Sequence, residues 1–358
     1  MIVTKIPLDI GDYADIKPVY DMLNNCAEGF KKYCILLTAV EIGIFDRLVV
    51  PQTIRDISHE LKTDLNIISN VCEALKIMGL VFERSGLYEN TEISNLFLRT
   101  DSPLAQHNVL KNLQSGLRLW ENLPKILKEG PITLSEEKFF ANNLIHSLAD
   151  EALCGELQRT VSIIAELPEF KKAKRLLDLG GGHGLYAIAF TKINPDLVAH
   201  VYDFPGVIDD TRKYIEKYEA ERVKVISGNF FADDIGEEYD VIFFSSNPGG
   251  KNPRIVPRIY ESLKKNGLFI NKHCFYSKGE GSKNILLDIE WNLTTFEGVQ
   301  KGNKVYTFNG DLFYDEYIEL LEKYFSIINI VDSPDFTGYP LSKIGDTLDS
   351  KIIIASRC

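Results

Sequence analysis

The residues of this chain best suited to chemistry are an acid, a string of glycines and a second acid. Asp178 precedes Gly180-Gly181-Gly182-His183-Gly184, giving the order D-x-G-x-G between an apolar strand pattern and an apolar helix pattern. Glycines there let backbone amides come close to a ligand, and the helix N-terminus favours a carboxylate or phosphate. Asp203 ends the next strand pattern about twenty residues on, where a carboxylate can accept hydrogen bonds from ribose hydroxyls. Together they describe a crevice for a nucleoside cofactor. Gly182, Gly184 and Ala187 also satisfy the relaxed dinucleotide pattern G-x-G-x-x-A, so the glycines alone leave a nicotinamide cofactor open. The acid two residues before Gly180, and a chain that closes on the strand pattern KIIIAS, favour S-adenosylmethionine and methyl transfer.

The periodicity of the flanking segments supplies the frame for these residues. Between about Pro18 and Arg99 it is helical, then changes to a hairpin. Ala39, Val40, Ile42, Ile44, Phe45 and Leu48 recur at helical spacing, Thr53 and Asp64 are placed to cap two further helices, and Gly79 ends the last. LVFERSGLYENT reads as two short strands about Ser85-Gly86. Helices followed by such a ribbon make an otherwise all-helical, winged-helix-like domain over residues 1–105. A helical linker follows over 106–172, interrupted at Gly130-Pro131. Over 173–358 strand patterns (RLLDL, VAHVYD, VKVIS, DVIFF, LFINKHCF, SIINIV, KIIIAS) alternate with helices about Ala187, Tyr214, Ile259 and Ile318. That alternation predicts a seven-strand, doubly wound, Rossmann-like α/β sheet, largely parallel and covered on both faces.

Composition excludes several other functions. The 358 residues suit two domains, and 45% hydrophobic with 25% charged residues is ordinary for a globular protein. A formal net charge of -11 argues against a nucleic-acid partner, and the segment DLNIISNVCEALKIMG, where a recognition helix would lie, carries one Lys and two acids. The six cysteines form no C-x-x-C pair, so neither a zinc site nor a redox dithiol is expected. The N-terminal MIVTKIPLDIGDYADIKP lacks the apolar core of a signal peptide, and no apolar run reaches membrane-spanning length; a cytoplasmic protein is expected.

From about Tyr20 to Cys358 the chain resembles the small-molecule O-methyltransferase family that includes caffeate, acetylserotonin and polyketide methyltransferases. AVEIGIFDRL, LVFERSGLYENTEISNLFL, DLGGGHG, VYDFPGVI, GNFF and the last strand fall in family order. The resemblance implies an intertwined homodimer built on the N-terminal domain, a linker that lines the substrate pocket, and a small-molecule acceptor. It also implies that Gly180 and Gly182 pack on the methionine part of the cofactor, Asp203 holds the ribose and Phe204 lies beside the adenine. Asn229 and Phe230 take the place of an acid and an apolar residue near the adenine. Ser245 stands where many members have Lys.

One departure concerns proton removal. Phenol-methylating members carry His-Asp-Trp after the fourth strand; here the stretch is FFSSNPGGKNP, with Gly249 at the histidine's place. Positioning alone supplies about 7–11 kcal/mol to such a reaction. A general base adds about 10²–10⁴-fold, the size of the deficit for a phenol ionised to roughly one part in a thousand at neutral pH. Transfer by proximity and orientation, without that base, is therefore expected. His273 at the end of the fifth strand and His146 on the preceding helix are the candidate substitutes; His183 reads as a helix-start residue and Cys274 as core. Phe139, Phe140, Trp291 and Phe296 suggest a flat aromatic or polyketide-like acceptor or, equally, ordinary core. O-methyl transfer leads, with C, N and S acceptors open. A cofactor-binding relative with another activity and a winged-helix DNA-binding regulator remain the alternatives.

Overall fold

The computed structural model describes residues 15–141, 143–332 and 350–358. The segment read above against a signal peptide lies mostly outside the described residues. The chain divides into two compact units, Met1–His107 and Asn108–Cys358.

In the first unit, α1 (Lys17–Glu41) ends where Gly43 turns left-handed at φ 79°, and α2 (Ile44–Arg47) follows. Thr53 and Asp56 form a reciprocal capping box on α3 (Ile54–Leu61). Asp64 caps α4 (Leu65–Ile77) through the amides of Asn66 and Ile67. Strands β1 (Val81–Arg84) and β2 (Leu87–Asn90) pair antiparallel about Ser85 and Gly86, both at positive φ as a two-residue hairpin turn requires. The short α5 (Glu92–Phe97) follows. Ala39, Phe45, Leu48, Ile57, Cys72 and Leu75 form the buried centre.

From residue 107 come α6 (His107–Glu121), α7 (Leu123–Glu129), β3 (Ile132–Leu134), α8 (Glu136–Phe140) and α9 (Asn143–Glu151). A π-helical turn at Ala152–Glu156, with Gly155 at φ 118°, leads into α10 (Leu157–Ala165) and α11 (Pro168–Lys172). The segment expected as a connecting linker thus contributes core: Leu157, Val161 and Ile164 of α10 pack on the sheet. The alternation then runs β4 (Arg175–Leu179), α12 (Leu185–Ile193), β5 (Val198–Asp203), α13 (Pro205–Lys217), β6 (Val223–Ser227), β7 (Tyr239–Ser245), α14 (Ile255–Ser262) and β8 (Leu263–Cys274). It closes with α15 (Ile285–Asn292), β9 (Thr294–Phe296), α16 (Tyr314–Leu321), β10 (Phe325–Asp332) and β11 (Ser350–Arg357).

The seven expected strands form one sheet in the order β10-β11-β8-β7-β4-β5-β6. β11 pairs antiparallel with both its neighbours, and the remaining pairs are parallel. Side chains alternate between the faces as the pleat requires. Leu176, Phe243, Ile270 and Ile354 pack against α10 and α12, while Leu177, Phe244, Phe269 and Ile353 pack against α14 and α16. Strand order reverses between β4 and β7, which opens a crevice at their carboxyl ends.

Candidate functional site

The glycine loop lies at that crevice. Gly180, Gly182 and Gly184 all take positive φ (63°, 53° and 71°), and a side chain at Gly180 would collide with the Asn247 carboxamide. Asp203, at the end of β5, fixes the loop from across the crevice. Its Oδ2 accepts from the Gly182 amide at 2.9 Å and its Oδ1 from the Phe204 amide at 2.8 Å. Burial pushes the Asp203 carboxyl up to about 6, against the pull of those two amides. Asp178 is buried beneath the loop with Oδ2 unpartnered, and burial pushes its carboxyl up to about 7. His183 accepts from the Leu185 amide at 3.1 Å and so starts α12, as expected.

One cavity of about 670 Å³ runs from this loop into the second unit's interior, within the usual range for small-molecule sites. Gly180, Gly182, Asp203, Phe204, Phe230, Ser245 and His273 all line it. Asn229 is placed differently. Its Oδ1 accepts from the Phe231 amide at 2.9 Å and closes its own turn, and the wall there is Gly228 and Phe230.

The cavity's far half is aromatic. Phe139 and Phe140 of α8 meet Trp291 of α15 and Phe296 of β9, with Phe139–Phe296 centroids 5.1 Å apart. Phe139, Phe140 and Trp291 reach the cavity, and Phe296 lies behind them. The parallel pairing of β3 with β9 brings these segments together, and neither short strand is readable from periodicity. Lys301 sits on this cluster, 4.0 Å from the Trp291 centroid and 4.1 Å from that of Phe296, and burial lowers its ammonium to about 8. Glu136 lines the same cavity; burial, followed by repulsion from Asp203, raises its carboxyl to about 7.

The two candidate bases part company. His273 is 3% exposed, lies edge-on to Phe244, and has Nε2 unpartnered. Burial, with Lys251 and Lys272 adding, holds its imidazole well below the usual histidine range and therefore neutral. A Cβ at Gly250 would lie 2.0 Å from that Nε2, so the glycine makes room for the ring. His146 does not reach the cavity as the sequence suggested. Leu144, Ile145 and Leu148 take the inward face of α9, and helical spacing turns His146 toward α13. There its Nδ1 is 2.8 Å from the Tyr214 hydroxyl and its Nε2 3.4 Å from Asp210.

Sequence reasoning missed Glu136, Asn247, Lys251, Glu156 and Lys272. Lys272 is 1% exposed and forms a buried ion pair with Glu156 of the π-helical turn. The signal for it was present: Asn271-Lys272-His273 is a polar triplet inside an otherwise apolar central strand.

Two family models match, the O-methyltransferase dimerisation domain over residues 24–100 and the O-methyltransferase domain over residues 148–304. An uncharacterized protein of Methanocaldococcus jannaschii is 39% identical, covering 86% of this chain and 84% of its own. Human acetylserotonin O-methyltransferase is 27% identical over 69% of this chain and 78% of its own. Among solved structures, an O-methyltransferase family protein from Burkholderia thailandensis shares the fold with TM-score 0.70 at 18% identity, covering 95% of this chain and 98% of that one. Human N-acetylserotonin methyltransferase in complex with SAM shares it with TM-score 0.66 at 20% identity, over 97% and 99%. With both models matched in order, on a seven-strand sheet whose glycine loop and paired acids face one cavity, the chain belongs to the O-methyltransferase family.

Proposed function

We propose that this protein transfers a methyl group from S-adenosylmethionine to an oxygen of a small, flat, aromatic or polyketide-like molecule. The observation that carries the reading is the continuity of one cavity, with the loop held by Asp203 at one end and the Phe139–Phe140–Trp291 cluster at the other. S-adenosylmethionine is the family's cofactor, and this chain's residues fit it. Asp203 keeps lone pairs for ribose hydroxyls beside the two amides it already accepts, and buried Asp178 Oδ2 is an acceptor with no protein partner. Gly180 and Gly182 leave room for the methionine part, with Phe204 and Phe230 beside the base. Bound there, the cofactor supplies an electrophilic methyl on a sulfonium.

The chain's own contribution is orientation within this cavity. Gly249 stands where the family's histidine falls and offers no side chain. His273, the imidazole in the wall, is held neutral and can accept a proton, but positioning is the larger effect. We further propose that the protein works as a homodimer through its dimerisation domain. Calorimetry tests the cofactor reading: S-adenosylhomocysteine should bind and NAD should not. Tight NAD binding with no S-adenosylhomocysteine binding would overturn it.

A further inference from the structure

We propose that the methyl acceptor is an acidic small molecule bound as an oxyanion, with the Lys251 ammonium as the countercharge that holds it and keeps it ionised. This deepens the methyl-transfer reading and rests on it. Lys251 follows Gly249-Gly250 and is 2% exposed, yet it lines the cavity beside His273 and Cys274. Its Nζ donates to two neutral acceptors, the Cys274 and Tyr306 carbonyls, each at 3.0 Å. An ammonium carries three donors and a full charge, so one donor and the charge are left over. Among the described residues no carboxylate lies within 4.0 Å of it.

The groups around Lys251 compensate that charge only in part, beginning with the Tyr276 ring, whose centroid is 6.0 Å from its Nζ. Asp311 is the acid that acts on it without reaching it; its Oδ2 accepts from the Phe308 amide at 2.9 Å, and burial raises its carboxyl above the usual range, against the pull of Lys251 and of the Phe308 and Gly249 amides. Cys274 offers its carbonyl to Lys251. Lys272 is committed to Glu156. His273 is neutral, so its unpartnered Nε2 adds no positive charge but can take part in a hydrogen bond. Burial draws the Lys251 ammonium down from the usual lysine range. A buried charge that is only partly compensated is costly, and an anionic ligand in the cavity lowers that cost.

The arrangement also accounts for glycine at position 249. An acceptor already ionised has no proton to lose, so a base is not needed. Methyl transfer to it joins the acceptor oxygen to the methyl carbon and returns the carbon–sulfur electron pair to sulfur. One negative and one positive charge cancel, leaving a neutral ether or ester that Lys251 no longer attracts.

The test uses 4-nitrophenol, a phenol that titrates near neutrality and absorbs visible light only when ionised, with the full chain saturated in S-adenosylhomocysteine. The bound dye should ionise at least about one pH unit below the free dye, the low end of what a nearby opposite charge does to an acid. Lys251→Met should abolish that shift and Lys251→Arg should retain it. Unshifted titration of the bound dye, absence of dye binding, or a shift that persists in Lys251→Met would each overturn the proposal. If Lys251→Met fails to fold by circular dichroism, the wild-type titration decides without it. Calorimetry with S-adenosylhomocysteine separates the two readings: binding that stays intact while the dye test fails removes the oxyanion alone, whereas its absence removes the cofactor reading beneath it.

Discussion

Asp203 braces the loop through the Gly182 amide and, on the proposed reading, offers the ribose a carboxylate, so its ionisation should be visible in binding. Both loop acids are raised, Asp203 to about 6 and Asp178 to about 7. The folded ligand-free chain therefore holds protons that the unfolded chain has released, and its stability should fall as pH rises from the ordinary carboxylate range toward about 7. Binding should run the other way. Ribose hydroxyls donate to the ionised form, so S-adenosylhomocysteine affinity should weaken as pH drops below about 6, which calorimetry across that range reads directly. Asp203→Ala should weaken the same affinity by about 2 kcal/mol, the scale of a charge-assisted hydrogen bond; unchanged affinity would place the ribose elsewhere. The histidines give a sharper contrast. His273→Ala should lower kcat by less than about tenfold, short of the 10²–10⁴ of a general base. A loss of about a thousandfold, with fold and cofactor affinity intact, would make His273 the base. His146→Ala should leave kcat nearly untouched and cost about 1 kcal/mol of stability, because its partners are Tyr214 and Asp210.

Among the elements, β8 departs furthest from its surroundings. Its neighbours β7 and β11 carry continuous apolar runs, Val241–Phe244 and Ile352–Ala355, as a sheet covered on both faces requires. β8 instead carries Asn271, Lys272 and His273 just before its last residue, at 0%, 1% and 3% exposure. Each has a specific job: Asn271 donates to the Gly250 carbonyl at 3.2 Å, Lys272 binds Glu156, and His273 fills the space over Gly250. The π-helical turn is what carries Glu156 to Lys272, since Gly155 takes a conformation no other residue adopts easily. Removing one member of such a pair strands the other charge in the interior. Glu156→Ala should therefore destabilise the fold by about 3–5 kcal/mol in urea titrations, while exposed pairs such as Lys125–Glu129 should be worth less than about 1 kcal/mol. A cost below about 1 kcal/mol for Glu156→Ala would mean that water reaches Lys272.

For the whole molecule, the question is what covers α1. Val19, Tyr20, Met22, Leu23 and Phe30 are each more than 40% exposed along this one helix, and contiguous exposed apolar groups of this kind mark interaction surfaces. With the dimerisation domain matched from residue 24, over the rest of this helix, light scattering should give twice the 40.5 kDa of one chain; a monomer at micromolar concentration would count against the homodimer. Truncation probes how the helices before residue 173 join the sheet. A chain beginning at residue 174 loses α10, whose Val161 and Ile164 are buried in the sheet's core, so it should be molten, binding an apolar dye and lacking near-ultraviolet dichroism. A soluble fragment with a cooperative unfolding transition would contradict that packing.

The sequence by itself determined the seven strands, the helices between them, the caps at Thr53 and Asp64, the Ser85-Gly86 turn and the Asp178–Gly182 loop with Asp203. These are local signals: a period of 2 or 3.6, a side-chain oxygen beside free amides, a glycine where φ must be positive. The doubly wound class followed from the alternation, but the order of the strands came only from their pairing. Only the tertiary structure decided which of His146 and His273 faces the cavity, since both sit on apolar elements and a single step of helical rotation turns one away. It alone joined β3 to β9, Glu156 to Lys272, and Lys251 to the carbonyls of Cys274 and Tyr306. Each of these unites residues far apart in the chain that have no local signature of their own. Their energies come from exclusion of water around charge, and that depends on what the rest of the fold places above them.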